Sequence, residues 1–143
     1  MRFSLAAAAA ALAATAQARI SGISVPETIK PGDTVDLKII SENYIQRVDD
    51  VAIAYGWATA NGYPGTLTNL LDSFYLGLDE SNLPNGQTVV KTVTFPADIT
   101  KGPGLVTAGA YSLYGASKTT TIVNYNVSVT FGDETSTTYK NSF

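Results

Sequence analysis

Two residue types that carry much of protein chemistry are missing: the chain has no cysteine and no histidine. Without cysteine there are no disulfides, no thiolate metal sites and no thiol nucleophile. Without histidine, a Ser-His-Asp or Cys-His arrangement is impossible. Zinc or copper would rest on carboxylates alone, a poor match to either metal. Charge is also sparse, with nine basic and twelve acidic residues in 143. No basic run occurs, so general binding of nucleic acid or of an anionic membrane is not expected. Gly102-Pro103-Gly104 lacks both the motif and the following helix of a phosphate-cradling loop. No cofactor is expected.

What is present begins with a leader. Met1-Arg2 is a short basic start, Phe3 to Ala14 is apolar and alanine-rich, and Ala16-Gln17-Ala18 puts small residues where a signal peptidase reads. The apolar run is too short for a membrane span. Residues 1–18 are therefore expected to be a signal peptide, cleaved between Ala18 and Arg19, with no membrane insertion. Cleavage leaves 125 residues (143 minus 18), with eight basic and twelve acidic side chains and a net charge of −4. One domain, expected to be a monomer, is the natural count. Packing and strand pairing must hold it, because the disulfides common in small secreted proteins are unavailable.

The clearest pattern lies between Gly104 and Gly132. Val123, Tyr125, Val127, Val129 and Phe131 alternate with Asn124, Asn126, Ser128 and Thr130. That is the period of a half-buried strand. Leu105 to Tyr114 is also apolar, and Gly115-Ala116-Ser117-Lys118 can close the two into a hairpin. Earlier, Ile20 to Val25 reads as a strand, and Val35, Leu37 and Ile39 alternate with Asp36 and Lys38 after the turn Pro31-Gly32-Asp33. Val51, Ile53, Tyr55 and Trp57 face away from Ala52, Ala54 and Gly56, whose small size permits a close neighbour. Leu67, Leu70, Leu71 and Phe74 fit helical spacing after a Thr66 cap, so a short helical turn entering a strand is expected there, although a plain strand also fits. Gln87 to Phe95 alternates but is broken by Lys91. About seven strands separated by turn signals predict an all-β fold. The expected form is a single antiparallel β-sandwich over residues 19–132, immunoglobulin- or fibronectin-like but without the Cys-Trp-Cys core. A jelly roll or barrel is the alternative. Residues 133–143 are polar and expected to form a flexible tail.

Carboxylate pairs occur at Asp49-Asp50, Asp79-Glu80 and Asp133-Glu134. A glycosidase needs two carboxyls roughly 5–10 Å apart across a cleft, and calcium needs several oxygens. Solvated loop charges are the ordinary reading, so no catalytic residue and no metal site is assigned. Tyr44, Tyr63 and Asp79 fall in loops, where binding residues concentrate, and are the candidate partner-binding residues. The polar tail is a further candidate. Trp57 and Tyr63 suggest sugar stacking, although Trp57 suits a core position better. Asn126-Val127-Ser128 is the one glycosylation sequon, and its strand phase points Asn126 to solvent.

Ordered phrases along the chain resemble the fungal necrosis-inducing secreted protein family. They are Ile20-Ser21-Gly22-Ile23-Ser24-Val25-Pro26, Asn43-Tyr44-Ile45-Gln46, Val48-Asp49-Asp50-Val51-Ala52-Ile53-Ala54 and Tyr63-Pro64-Gly65-Thr66-Leu67. Tyr75-Leu76-Gly77 with Asp79-Glu80-Ser81, Ser112-Leu113-Tyr114-Gly115-Ala116-Ser117, Asn124-Tyr125-Asn126-Val127 and Gly132-Asp133-Glu134-Thr135-Ser136 complete the set. The resemblance implies a secreted, non-enzymatic effector of the extracellular space, with entry into host cells left open. It implies host plant receptor-associated kinases as partners, suppression of pattern-triggered immunity, and induction of cell death. The residues alone leave a second reading, a secreted carbohydrate- or cell-wall-binding module.

Overall fold

A computed structural model of the chain describes residues 17–84 and 86–143. The apolar leader therefore lies outside the described residues, apart from its cleavage site. Among the described residues, nine strands form two sheets: β1 Ala18–Pro26, β2 Thr28–Ile29, β3 Thr34–Asn43, β4 Val48–Thr59, β5 Asn69–Tyr75, β6 Thr88–Thr94, β7 Gly102–Tyr114, β8 Thr119–Phe131 and β9 Tyr139–Asn141. One sheet runs β6-β3-β1-β9 and the other β2-β8-β7-β4-β5. All pairings are antiparallel except the short β2–β8 contact, which is parallel. The expected sandwich is present, and seven of its strands are seven residues or longer.

The central hairpin of β7 and β8 pairs over thirteen positions, from Gly102–Phe131 to Tyr114–Thr119. Val127, Val129 and Phe131 are buried on its inner face, and Asn124, Asn126 and Ser128 are exposed on the outer one. Ile23 and Val25 of β1, Val35, Leu37 and Ile39 of β3, and Ile53 and Tyr55 of β4 close one core between the sheets. Lys91 sits in the inner phase of β6, yet it breaks nothing. β6 is an edge strand, and the ammonium reaches out to Glu80 at 2.7 Å and over the Phe74 ring. A charge turned inward on an edge strand also discourages pairing with another chain.

Three β-bulges explain where period two fails. In β1 the register shifts between Ile20 and Gly22, so burial passes from Ala18 and Ile20 to Ile23 and Val25. In β4 it shifts between Asp50 and Ala52, so Val48 and Asp50 face inward, followed by Ile53 and Tyr55. The β4–β5 pairing shifts between Tyr55 and Gly56 and leaves Leu71 as the extra residue. That extra residue corrects the expectation of a helical turn at residues 66–75. One inserted residue in a strand spaces Leu67, Leu70, Leu71 and Phe74 like a helix face, but the segment from Asn69 to Tyr75 is extended. The only helical piece among the described residues is a 3-10 turn at Leu78–Glu80.

The tail at 133–143 is also corrected. It closes the first sheet: β9 pairs with Ser24, Val25 and Pro26 of β1. Ser136 N–H donates to Thr28 O, and Thr28 and Lys30 N–H donate to Ser136 Oγ and Thr135 Oγ1. Ser142 N–H donates to Ile23 O while its Oγ accepts from Ile23 N–H. Gly22 leaves the space that Ser142 and Phe143 fill; a Cβ there would lie 2.6 Å from Ser142 Oγ. Polarity at the tail thus reflects an edge strand built on hydroxyl–backbone bonds. Ending the chain at Gly132 is expected to lower the unfolding free energy by about 3 kcal/mol, since several such bonds worth roughly 1 kcal/mol each are lost. Urea unfolding measures this, and an unchanged midpoint would restore the loose tail.

Candidate interaction surface

β4 spans the molecule and orders its two ends. At its start, the β3–β4 loop meets the β7–β8 turn, where Gly115 N–H donates to Arg47 O. At its finish, the β4–β5 loop folds back over the outer face. Leu67 O accepts from Thr107 Oγ1, and Gly56 must be glycine because a Cβ would meet Leu67 Cβ at 2.6 Å and Asn69 O at 2.7 Å. This is the close neighbour that the Ala/Gly face was expected to admit.

Tyr44 and Asp79 belong to the first end. Tyr44 packs edge-on against Tyr114 at 5.6 Å, under the Arg19 guanidinium at 4.8 Å. Arg19 is bound to Glu42 at 2.6 Å, and this hydrogen bond holds the guanidinium pKa above its usual value. Asp79 is exposed in the 3-10 turn. Asn82 clamps that segment to β4 by accepting from Val48 N–H and donating to Val48 O. Ser81 Oγ accepts from Asp50 N–H at 2.7 Å and bonds to Gly77 O. Tyr63 is 72% exposed in the β4–β5 loop, at the other end. Twelve strand residues at about 3.3 Å each separate the two ends. The three candidates therefore do not make one site.

Asp49 and Asp50, neighbours in sequence, part company. Asp49 accepts from Arg47 at 2.8 Å and from Lys118, and these bonds hold its carboxyl below the usual range. Asp50 is 3% exposed and accepts from Ser112 Oγ at 2.5 Å. Burial pushes it up to about 6, against the opposing Ser112 bond. Glu80 and Asp133 are tied to Lys91 and Lys101. Among the described residues no group of three or more acidic side chains comes together. Trp57 is half-buried, edge-on to Phe131 at 6.2 Å, and offers no open stacking platform. Ala18, at the expected cleavage site, is buried opposite Asn43 in β1, and Gln17 O accepts from Tyr44 N–H.

The surface that sequence reasoning missed lies on the outer face of the five-stranded sheet, toward the first end. Tyr75, Ala52, Tyr111 and Ile122 are successive partners across β5, β4, β7 and β8. Tyr75 is 76% exposed and Ile122 71%, while Tyr111 between them is partly open. The next row, Ser73, Ala54, Gly109 and Asn124, is small and flat. Ile45, 90% exposed, and Leu78 stand at the adjoining loop tips. Gly77 seats the Tyr75 ring, since a Cβ there would meet the ring at 2.5 Å. Ile122 was the legible signal, being the one large apolar residue in the polar phase of β8.

Comparison with known proteins places this scaffold. The Nis1 family model matches residues 16–130. Necrosis-inducing secreted protein 1 of Colletotrichum higginsianum is 56% identical over 137 residues, covering 95% of this chain and 94% of the relative. The protein of the same name from Colletotrichum orbiculare is 50% identical over 137 residues, covering 95% of this chain and 83% of the relative. Like those relatives, this chain is a secreted protein. With the model matched across both sheets and the relatives similar over nearly the whole length, the chain belongs to the Nis1 family.

Proposed function

We propose that the protein is a secreted effector that induces plant cell death and dampens pattern-triggered immunity by binding host receptor-associated kinases, without catalysing a reaction. The names of its relatives support the cell-death part, and the sequence resemblance supplies the class of partner. The observation that carries a binding role is the cross-strand row Tyr75–Tyr111–Ile122, with Ile45 and Leu78 at the same end. Exposed aromatic and aliphatic groups on a flat, small-residue floor are what a protein partner can cover. A rigid frame holds them, so little order is lost on binding.

The test is capture of purified kinase domains of receptor-associated kinases by the mature protein. Saturable binding is expected, and Tyr75→Ala/Tyr111→Ala/Ile122→Ser is expected to weaken it at least tenfold, since central interface residues commonly contribute about 1–3 kcal/mol each. Failure to capture any such kinase, together with an undiminished oxidative burst in treated leaves, would remove the reading.

A further inference from the structure

The sequon at Asn126 lies on one wall of a groove that shares only Asn124 with the surface described above. The groove has a volume of about 200 Å³ and runs between the β4–β5 loop and the outer face of β7 and β8. Asn61, Tyr63 and Pro64 line the loop side, and Leu105, Asn124 and Asn126 the sheet side. It is smaller than the roughly 300–1,000 Å³ of pockets that hold drug-sized ligands, and suits one sugar ring.

The wall facing Asn126 is built rather than loose. Gly62 and Gly65 adopt φ of 56° and 71°, the left-handed conformation that favours glycine in a tight turn, and Leu67 O is pinned by Thr107 Oγ1. Asn126 pairs with Thr107 in register, so this anchor and the acceptor share one row. Strand phase does the rest: Val127 is 2% exposed, while Asn126 and Ser128 on either side face out.

We propose that Asn126 is N-glycosylated and that its first N-acetylglucosamine lies in this groove, stacked on the Tyr63 ring with its polar groups toward Asn61 and Asn124. The transfer needs a polyprenyl-diphosphate-linked oligosaccharide as donor, supplied by the secretory pathway. Asn126 Nδ2 attacks the anomeric carbon, the C–N bond forms, the carbon–oxygen bond to the diphosphate breaks, the lipid diphosphate leaves, and the amide gives up one proton. An aromatic face beside apolar sugar C–H groups and amides beside sugar hydroxyls are the usual complement of a pyranose. The Leu70–Gly56–Thr107–Asn126 row lies two rows, or about 13 Å along the strands, from Tyr75–Tyr111–Ile122. The glycan would thus cover one half of the outer face and leave the other half open.

The experiment uses the full chain, leader included, expressed in a eukaryotic secretory host and trimmed enzymatically to a single N-acetylglucosamine. Peptide mass analysis is expected to find the sugar on Asn126. Trimmed wild type is expected to melt about 3 °C above Ser128→Ala, a shift of the size that roughly 0.5–1 kcal/mol gives in a domain this large. In the Tyr63→Ala background the same comparison should give less than about 1 °C, and Tyr63→Phe, which keeps the ring, should restore the gain. Unmodified Asn126 in the secreted protein would overturn the proposal. So would a thermal gain that survives Tyr63→Ala undiminished, because the sugar would then sit elsewhere.

Discussion

Replacing Phe131 with alanine is expected to lower the unfolding free energy by about 4 kcal/mol, the usual loss for a buried aromatic ring. Phe131 ends the central hairpin where the two sheets meet. It is fully buried, with Trp57 edge-on at 6.2 Å and Phe95 at 6.0 Å. Gly104 on the neighbouring strand leaves room for its ring, since a Cβ there would collide with it and lie 3.1 Å from Ala58 O. The site has little means of collapsing, because two rings and two backbones line it. With a urea slope of about 2 kcal/mol per molar, the midpoint should fall by about 2 M. Gly104→Ala presses on the same contact from below and is expected to lose about 1–3 kcal/mol. Thr130→Ala, one residue away on the exposed face, should change stability by less than about 0.5 kcal/mol. A shift for Phe131→Ala as small as that of Thr130→Ala would mean that the sheets are not joined here.

The second large effect is on pH dependence, and Asp50 sets it. An ordinary aspartate titrates near 3.8, whereas Asp50 in the folded protein titrates at about 6 because it is buried. The folded state therefore takes up a proton that the unfolded state does not bind until lower pH. Stability rises as pH falls from 7 toward 4, and the cost of the buried charge is fully present above 6. A difference of about two pH units corresponds to about 3 kcal/mol. Below pH 4 the trend reverses, as Asp49 and Asp133, held low by their hydrogen bonds to Lys118 and Lys101, protonate and lose those partners. Asp50→Asn keeps an oxygen for Ser112 and removes the charge. It is expected to be more stable than wild type at pH 7 and to show a profile flat within about 1 kcal/mol from pH 4.5 to 7.5. Urea midpoints across that range decide it. A wild-type maximum at pH 7, or an asparagine variant that keeps the whole acid-side rise, would contradict the account.

Asp50 also shows what a sequence reader cannot see. Asp49-Asp50 reads as one acidic pair in a polar loop, yet a bulge at Val51 turns the second carboxylate inward. Bulges are single-residue insertions with no strong signature of their own, so the strands were legible and their phase changes were not. Within residues 66–75 the expected strand is present and the helical turn before it is not, for the same reason, at Leu71. The strongest elements were those with unbroken alternation, β3 and β8, where neighbouring propensity and packing agree. The two short strands escaped because they are made by their partners. Thr28–Ile29 lies along β8, and Tyr139–Asn141 along β1. On the surface, the loop candidates Tyr44 and Asp79 lie at the end that carries the exposed apolar row, while Tyr63 lines the groove at the other end. The apolar row was spread over four strands, and only the register brings Tyr75, Tyr111 and Ile122 together.

The core between the sheets holds the fold, and the proposed binding role rests on the exposed row Tyr75–Tyr111–Ile122 of the outer face. The direct test is leaf infiltration with equal amounts of wild type and Tyr75→Ala/Tyr111→Ala/Ile122→Ser, after their melting temperatures have been measured. The variant is expected to melt within a few degrees of wild type and no longer to cause cell death. A folded variant that kills leaf tissue as wild type does would contradict the proposed role.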